Sequence, residues 1–170
     1  MEKCHKGVDG KIMNLFSSAT VNEDFFLYVS NKVTLEHALA VIGILTPIFF
    51  EKDGCVFWEN SVTKQYKKGE NTYYFDGKNR KEIERYCNIF VSAGLFQKWE
   101  EKYDQSIPDE ERYKNDIRLS LAFAQAIEKY WRIALKDCFP NKNFEFEISE
   151  NGIEDEEGVC LTFWQKIRKY

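Results

Sequence analysis

One segment, from about Ile107 to Asp137, constrains the fold of this chain more than any other part of the sequence. Its apolar residues recur at helical spacing and form two adjacent stripes, which predicts a long central helix with one face in water. Ser106 is placed to cap the helix, and Phe139-Pro140 is placed to stop it. The stripes comprise Ile117, Leu121, Ala124, Trp131 and Leu135, and beside them Phe123, Ile127, Tyr130 and Ala134.

Hairpins are predicted on both sides of this helix. Ile48 to Glu59 contains two short apolar runs around Asp53-Gly54, a dipeptide that favours tight hairpin turns because both positions tolerate positive φ. After the helix, apolar and polar residues alternate over Phe144 to Ser149, as in a half-buried strand, and Val159 to Ile167 supplies the return strand. A further hairpin is predicted from Thr63 to Phe75.

Shorter helices complete the predicted fold. Thr34 can cap a helix that Pro47 ends, and this helix is apolar around most of its circumference, which is typical of a buried helix. Lys81 to Ala93 has helical spacing with Gly94 at its end. The two remaining predicted helices are one capped by Asn22 and running through Phe25, Phe26 and Val29, and a short one from Leu95 to Tyr103.

These elements predict one α+β domain over residues 1–170, with residues 1–11 as a mobile lead-in. It has four to five helices, a long central helix packed on antiparallel hairpins, and a C-terminal β-hairpin. The 170 residues and the hydrophobic content of 44% suffice for one packed core. We expect no membrane partner, because the longest apolar stretch, Ala38 to Phe50, is shorter than the roughly 20 residues that a membrane helix needs.

Charge and cysteine usage narrow the functional classes. The net charge of −4 disfavours binding to nucleic acid, because a protein owes most of its affinity for nucleic acid to basic residues. Five separated cysteines without a CxxC pair are typical of reduced thiols, and with the absence of a signal-peptide pattern they predict a cytoplasmic protein. Dinucleotide, P-loop, zincin and hydrolase motifs are missing, so no cofactor is predicted.

An acidic connection between the last two strands is the first candidate site. The stretch from Phe144 to Cys160 contains seven acids and no lysine or arginine. One interpretation is a docking surface for a basic protein. Another is a solvated turn that keeps a sheet edge from aggregating. A calcium loop is the third, but the spacing does not match an EF-hand, and no metal site is predicted. The predicted partner-binding residues are Glu150, Glu154, Asp155, Glu156 and Glu157.

Three weaker candidates remain. Cys55 could be a nucleophile with His37 as its base, although a buried thiol and a core-edge histidine explain them more simply. Glu128 could be a functional buried acid, but a surface pair with Arg132 at i,i+4 spacing is the simpler interpretation. Cations and aromatic rings interleave in a segment that could bind single-stranded nucleic acid, although a solvated hairpin whose rings alternate into the core explains them more simply. Its members are Lys64, Tyr66, Lys67, Lys68, Tyr73, Tyr74, Phe75, Lys78, Arg80 and Lys81.

The sequence therefore predicts a non-enzymatic module that binds another, basic protein. An inhibitor of the immunity or antitoxin type is one concrete form, because an acidic loop could meet a basic active site. Two alternatives stay open: a small enzyme of unrecognised type that uses carboxylates or Cys55 in a pocket, and a single-stranded nucleic-acid binder that uses residues 64–81. Homodimerisation that buries surplus aromatic residues is also left open.

Overall fold

The computed structural model describes residues 10–13, 15–16, 25–61, 79–92 and 108–166, and these form a mixed α+β structure. The long helix and the antiparallel hairpins, including the C-terminal one, confirm the predicted fold class. In chain order, the described elements are α1 (Gly10–Met13), α2 (Phe25–Lys32), α3 (Leu35–Leu45), β1 (Phe49–Lys52), β2 (Cys55–Trp58), α4 (Arg80–Cys87), β3 (Phe90–Val91), α5 (Asp109–Cys138), β4 (Phe144–Ser149) and β5 (Cys160–Gln165).

Several predicted features lie outside the described residues. They are the lead-in up to residue 9, the caps at Asn22 and Ser106, the hairpin from Thr63 to Phe75, Gly94, and the helix from Leu95 to Tyr103. Within the described ranges, no helix has the length and apolar character needed to span a membrane.

The first hairpin matches its prediction. β1 and β2 pair antiparallel, from Phe49 opposite Trp58 to Lys52 opposite Cys55. The turn between them is Asp53-Gly54, where φ is 52° at Asp53 and 80° at Gly54. These are the positive values that a two-residue hairpin turn requires, and Asp-Gly adopts them at low cost.

The second sheet has the strand order β3-β5-β4, and all of its pairs are antiparallel. The predicted return strand is present as β5, and because all six of its residues are buried, it is a central strand covered on both faces. On one face Leu161 and Phe163 join the main core. On the other face α4 covers β5, because the Thr162 hydroxyl donates a 2.7 Å hydrogen bond to the carbonyl oxygen of Arg85.

Helix α5 organises the core through Trp131, which is fully buried. The N-cap position of this helix is Pro108, without a side-chain cap bond, so the helix begins later than predicted. Ala124, Ile127 and Leu135 are buried with Trp131, as their stripes predict. Tyr130 is 41% exposed and was wrongly placed in the core, because it lies on the part of the helix that faces solvent.

Helix α3 has the predicted bounds but not the predicted burial. The Thr34 hydroxyl accepts a 3.1 Å hydrogen bond from the His37 N–H, as expected of an N-cap. None of the residues of α3 is buried, and Leu35 is 78% exposed. Among the described residues, Ile44 and Leu45 at the C-terminal end of the helix pack against the buried cluster. The prediction of a buried helix is therefore wrong, since an apolar circumference needs neighbours on every side.

The helix predicted from Lys81 to Ala93 divides into two elements. α4 begins after Asn79, which forms a capping box with Glu82, and ends at the C-cap residue Asn88. Phe90 and Val91, predicted on the helical face, instead form β3 and pair with β5. The physical reason is that the side chain of Asn88 binds strand backbones, so the chain leaves the helix there and joins the sheet.

Candidate functional site

The acidic connection, residues 150–158, folds as an ordered turn, which we call the acidic turn. Ile153 is buried, and its backbone exchanges two 3.1 Å hydrogen bonds with that of Glu156. Gly152 has φ of 95°, and a Cβ there would lie 2.1 Å from the carbonyl oxygen of Glu156. Only glycine fits this position, so the backbone that carries the acids is closely specified.

The acidic turn divides the five predicted site residues into two groups. Glu154 forms an ion pair with Arg85 of α4, so it holds the turn against the rest of the structure. The other four are exposed, and no ion pair from the described part of the chain reaches them. They are Glu150, Asp155, Glu156 and Glu157. The structure thus places on one short segment four exposed carboxylates that form no ion pair with the described residues.

Arg85 links the acidic turn to the neighbouring strand. Its Nε and Nη2 donate to the two carboxylate oxygens of Glu147 at 2.7 and 2.9 Å, while Nη1 donates to Glu154. Hydrogen bonding to Glu147 is the main reason that the pKa of Arg85 is raised, and the same bonds lower the pKa of Glu147. Such bidentate pairing fixes geometry as well as charge. Arg85 therefore pairs with two of the acidic residues of the C-terminal hairpin, Glu147 and Glu154.

Glu145 is held in a similar way at the other end of β4. It accepts a 3.0 Å hydrogen bond from Trp164 Nε1 and forms a 3.3 Å ion pair with Lys166. These contacts lower the pKa of Glu145, and the hydrogen bond from Trp164 contributes most to this change. Lys81 of α4 lies over the Trp164 ring at 4.7 Å. The polar face of β4 is therefore acidic and ordered.

A buried polar joint connects the two sheets, and the sequence did not predict it. Glu84 of α4 is fully buried and accepts 2.6 Å hydrogen bonds from the N–H groups of Val56 in β2 and Gln165 in β5. One turn later, Asn88 Nδ2 donates to the carbonyl oxygens of Val56 and Phe163. These two side chains satisfy strand edges that would otherwise be buried without partners. The sequence carries no signal for them, because Glu84 and Asn88 look like exposed polar residues beside Arg80 and Lys81.

The burial of Glu84 makes it structural rather than catalytic. Burial raises the pKa of its carboxyl group, while hydrogen bonds from Gln165 and Val56 oppose the rise. Both carboxylate oxygens accept protein donors, and the side chain has no exposed surface. A substrate has no route to either oxygen. We therefore assign Glu84 to joining the sheets.

The predicted catalytic candidates are not assembled into a reactive site. Cys55 is buried, and burial followed by the charge of Glu84 raises the pKa of its thiol to about 11. It is therefore protonated at neutral pH, whereas a nucleophilic cysteine needs the thiolate. His37 lies exposed on α3, and nothing in the described ranges links its ring to a thiol. Glu128 pairs with Arg132 at 2.7 Å, which confirms the simpler interpretation of that residue.

A basic cleft lies at the opposite end of β4 from the acidic turn. Its volume is about 260 Å³, and three of its five lining residues are cations. Each cation already has a partner: Arg132 binds Glu128, Lys136 donates to the Pro140 carbonyl oxygen, and Lys142 pairs with Glu51. The lining residues are Arg132, Lys136, Lys142, Asn143 and Phe144.

The remaining candidates and the comparisons add no assigned function. Of the cations and aromatic residues within residues 64–81, only Arg80 and Lys81 belong to the described residues, so nucleic-acid binding there stays a prediction. No group of three or more histidine, cysteine or acidic residues suited to a metal ion occurs in the described ranges. Comparison with family models, curated proteins and solved structures gave no match.

Proposed function

We propose that this chain is a non-enzymatic module that binds another protein, of basic character, through the acidic turn. The observation that carries the proposal is the turn itself: a closely specified backbone displays four exposed carboxylates without ion-pair partners in the described structure. A solvated turn needs no such specification. A surface that recognises a partner benefits from it, because less conformational entropy is lost on binding.

Charge supports a basic partner. The whole chain carries a net charge of −4, and the four exposed acids of the acidic turn concentrate negative potential on one segment. Like-signed charges in a patch steer an oppositely charged protein and raise its association rate. The acidic turn would therefore act mainly on the rate of capture and on the choice of partner.

An inhibitor of the immunity or antitoxin type is the concrete form that we favour. A toxin that acts on an anionic substrate presents a basic active site, and an ordered acidic turn is complementary to such a surface. The enzyme alternative has less support, because Cys55 is buried and protonated and Glu84 is sealed within the joint between the sheets. Homodimerisation and nucleic-acid binding stay predictions.

The test is capture of a partner from the lysate of the host by the wild-type chain and by a charge-reversed variant. The variant replaces Glu150, Asp155, Glu156 and Glu157 by lysine and keeps Glu154, because Glu154 holds the turn through Arg85. We expect the wild type to retain one stoichiometric basic protein. We expect the variant to lose it, or to bind it about tenfold more slowly at low salt, since steering charges act on association.

A second variant controls for overall charge. Reversal of four scattered, exposed acids changes the net charge equally, from −4 to +4, because each reversal adds two. This control should still capture the partner at close to the wild-type rate. If both variants lost capture of the partner equally, or if neither lost it, the acidic turn would not be part of the binding surface. The control positions are Glu36, Glu111, Asp116 and Asp137.

A further inference from the structure

The outer edge of β4 is a candidate binding surface because of the direction of its backbone groups. In an antiparallel pair, successive residues point alternately toward and away from the neighbouring strand. The Lys166 N–H binds the Asn143 carbonyl oxygen, whereas Phe163 and Gln165 use their backbone groups on the opposite side, toward α4. It follows that the backbone N–H and carbonyl groups of Glu145 and Glu147 point toward β5.

The residues between them face outward. Phe144, Phe146 and Ile148 direct their backbone N–H and carbonyl groups away from β5, at the end of the strand order β3-β5-β4. Arg132 Nη1 donates to the Phe144 carbonyl oxygen at 3.3 Å. No hydrogen bond from the described part of the chain reaches the outward groups of Phe146 or Ile148. An added strand could form backbone hydrogen bonds with these outward groups.

The two faces of this edge differ in chemistry. Glu145 and Glu147 project on the side of α4, where Trp164, Lys166 and Arg85 bind them. Phe146 and Ile148 project on the side of α5 and pack against the main core. An added strand therefore meets carboxylates at every second position, each already in contact with one cation. Between them it meets the side chains of Phe146 and Ile148, with the guanidinium of Arg132 4.4 Å from the Phe146 ring. The acidic turn continues the negative charge beyond the end of β4.

Charge decides which strand fits. If two copies of the chain paired through this edge with Phe146 opposite Phe146, then Glu145 of one copy would lie opposite Glu147 of the other. Like charges directly opposite each other destabilise a strand pair, so a second copy is disfavoured. A strand with lysine or arginine at these positions gains opposite-charge pairs instead. The same acids that protect the edge against self-association thus favour a basic strand.

We propose that the outer edge of β4 binds an extended segment of the partner protein in which basic and apolar residues alternate. This inference rests on the proposed function and specifies how the partner is held. Backbone hydrogen bonds to Phe146 and Ile148 supply the part of the binding free energy that does not depend on the side chains of the added strand. Pairing with Glu145, Glu147 and the acidic turn supplies the specificity.

The test uses short synthetic peptides and the full chain. The probe alternates valine with lysine, a matched control alternates valine with glutamate, and a second control has proline in place of alternate valines. Hydrogen exchange of individual backbone amides is measured by NMR. The lysine peptide should protect the amides of Phe146 and Ile148, which face outward. The amides of Glu145 and Glu147 should change little, since β5 already protects them.

Side-chain charge is tested with Glu145→Gln, which removes the charge and keeps an oxygen for Trp164. Its affinity for the lysine peptide should fall by roughly two- to fivefold, as expected for one cross-strand ion pair. Asp116→Asn, an exposed change on α5, should leave the affinity unchanged. Equal affinities for the lysine and glutamate peptides, or unprotected Phe146 and Ile148 amides at peptide saturation, would overturn the proposal. Protection that appears without peptide and rises with protein concentration would assign the edge to a second copy instead.

Failure here is distinguishable from failure of the proposed function. A captured partner that depends on the acidic turn, yet leaves the Phe146 and Ile148 amides exchanging as in the free chain, would support the binding module and reject the strand addition. Absence of any captured partner would count against the module, whatever the peptides do.

Discussion

Replacing Glu84 by alanine is expected to lower the free energy of unfolding by about 3–5 kcal/mol, because it removes the acceptor for several buried donors. The N–H groups of Val56 and Gln165 would lose their 2.6 Å hydrogen bonds, and the side-chain amide of Gln165 would lose one of its two acceptors. The joint between the sheets would also gain a cavity. Urea unfolding followed by tryptophan fluorescence measures the loss.

Two further variants separate this joint from the general effect of removing an acid. Glu84→Gln keeps the shape but presents an amide group to the donors, so we expect a loss of about 1–3 kcal/mol. Asp116→Ala, an exposed change on α5, should cost no more than about 0.5 kcal/mol. If Glu84→Ala proved as mild as Asp116→Ala, Glu84 would not join the sheets.

The pH dependence of the same variants has a defined sign. Burial raises the pKa of Glu84 above its ordinary value of 4.5. The folded state therefore binds this proton more tightly than the unfolded state. The contribution of Glu84 to the free energy of unfolding decreases as the pH rises above that value. We expect the stability of wild type relative to Glu84→Gln to decline from mildly acidic to neutral pH. Glu147, whose pKa is lowered, acts in the opposite direction in both proteins and cancels in the comparison.

Trp131→Ala is the second change with a large expected effect, a loss of about 3–5 kcal/mol, because it empties the centre of an aromatic core. The Trp131 ring contacts four other rings, at centroid distances of 5.4 to 5.9 Å. Its Nε1 also donates a 2.9 Å hydrogen bond to the carbonyl oxygen of Ile44, which ties α3 to α5. Those four rings, on β1, β2, β3 and β5, belong to Phe49, Trp58, Phe90 and Phe163.

The neighbouring residue supplies the matched control. Tyr130 precedes Trp131 on α5 but is 41% exposed, so Tyr130→Ala should cost about 1 kcal/mol or less. Trp131→Phe keeps much of the packing and loses the bond to Ile44, so it should fall between the two. Thermal unfolding by calorimetry ranks all three. Equal losses for Tyr130→Ala and Trp131→Ala would contradict the observed packing of the helix.

Local rules predicted the features that depend on a few neighbouring residues. Asp53-Gly54 forms its turn because these two residues accept positive φ wherever they occur between short apolar runs. Thr34 caps α3 because its hydroxyl needs only a backbone N–H three residues later. The length of α5 follows from its periodicity in the same way.

Features that depend on distant contacts were missed. Apolar periodicity described α3 correctly as a helix, but only its neighbours decide which side is covered, and Leu35 remains exposed. Phe90 and Val91 fit the helical spacing of the segment before them, yet Asn88 ends the helix by binding strands far along the chain. Local spacing carries no information on such partners.

The position of the acidic turn follows from the sequence, whereas the contacts made by its side chains do not. The five acids stand out because no cation lies among them in the sequence. Arg85 reaches Glu154 from a helix that is 69 residues away along the chain, so its role could not be inferred from local charge. The buried pair Glu84 and Asn88 resembled surface polar residues. Only the folded backbone shows that each satisfies two strands.

The most direct test of the central claim is the association rate of the captured partner, measured by stopped flow as a function of ionic strength. For the wild type, we predict fast association that slows steeply as salt is added, because salt screens the acidic turn. The variant reversed at Glu150, Asp155, Glu156 and Glu157 should associate slowly and respond weakly to salt, while the scattered-charge control keeps the wild-type slope. A turn variant with the wild-type rate and the wild-type salt dependence would contradict recognition through the acidic turn.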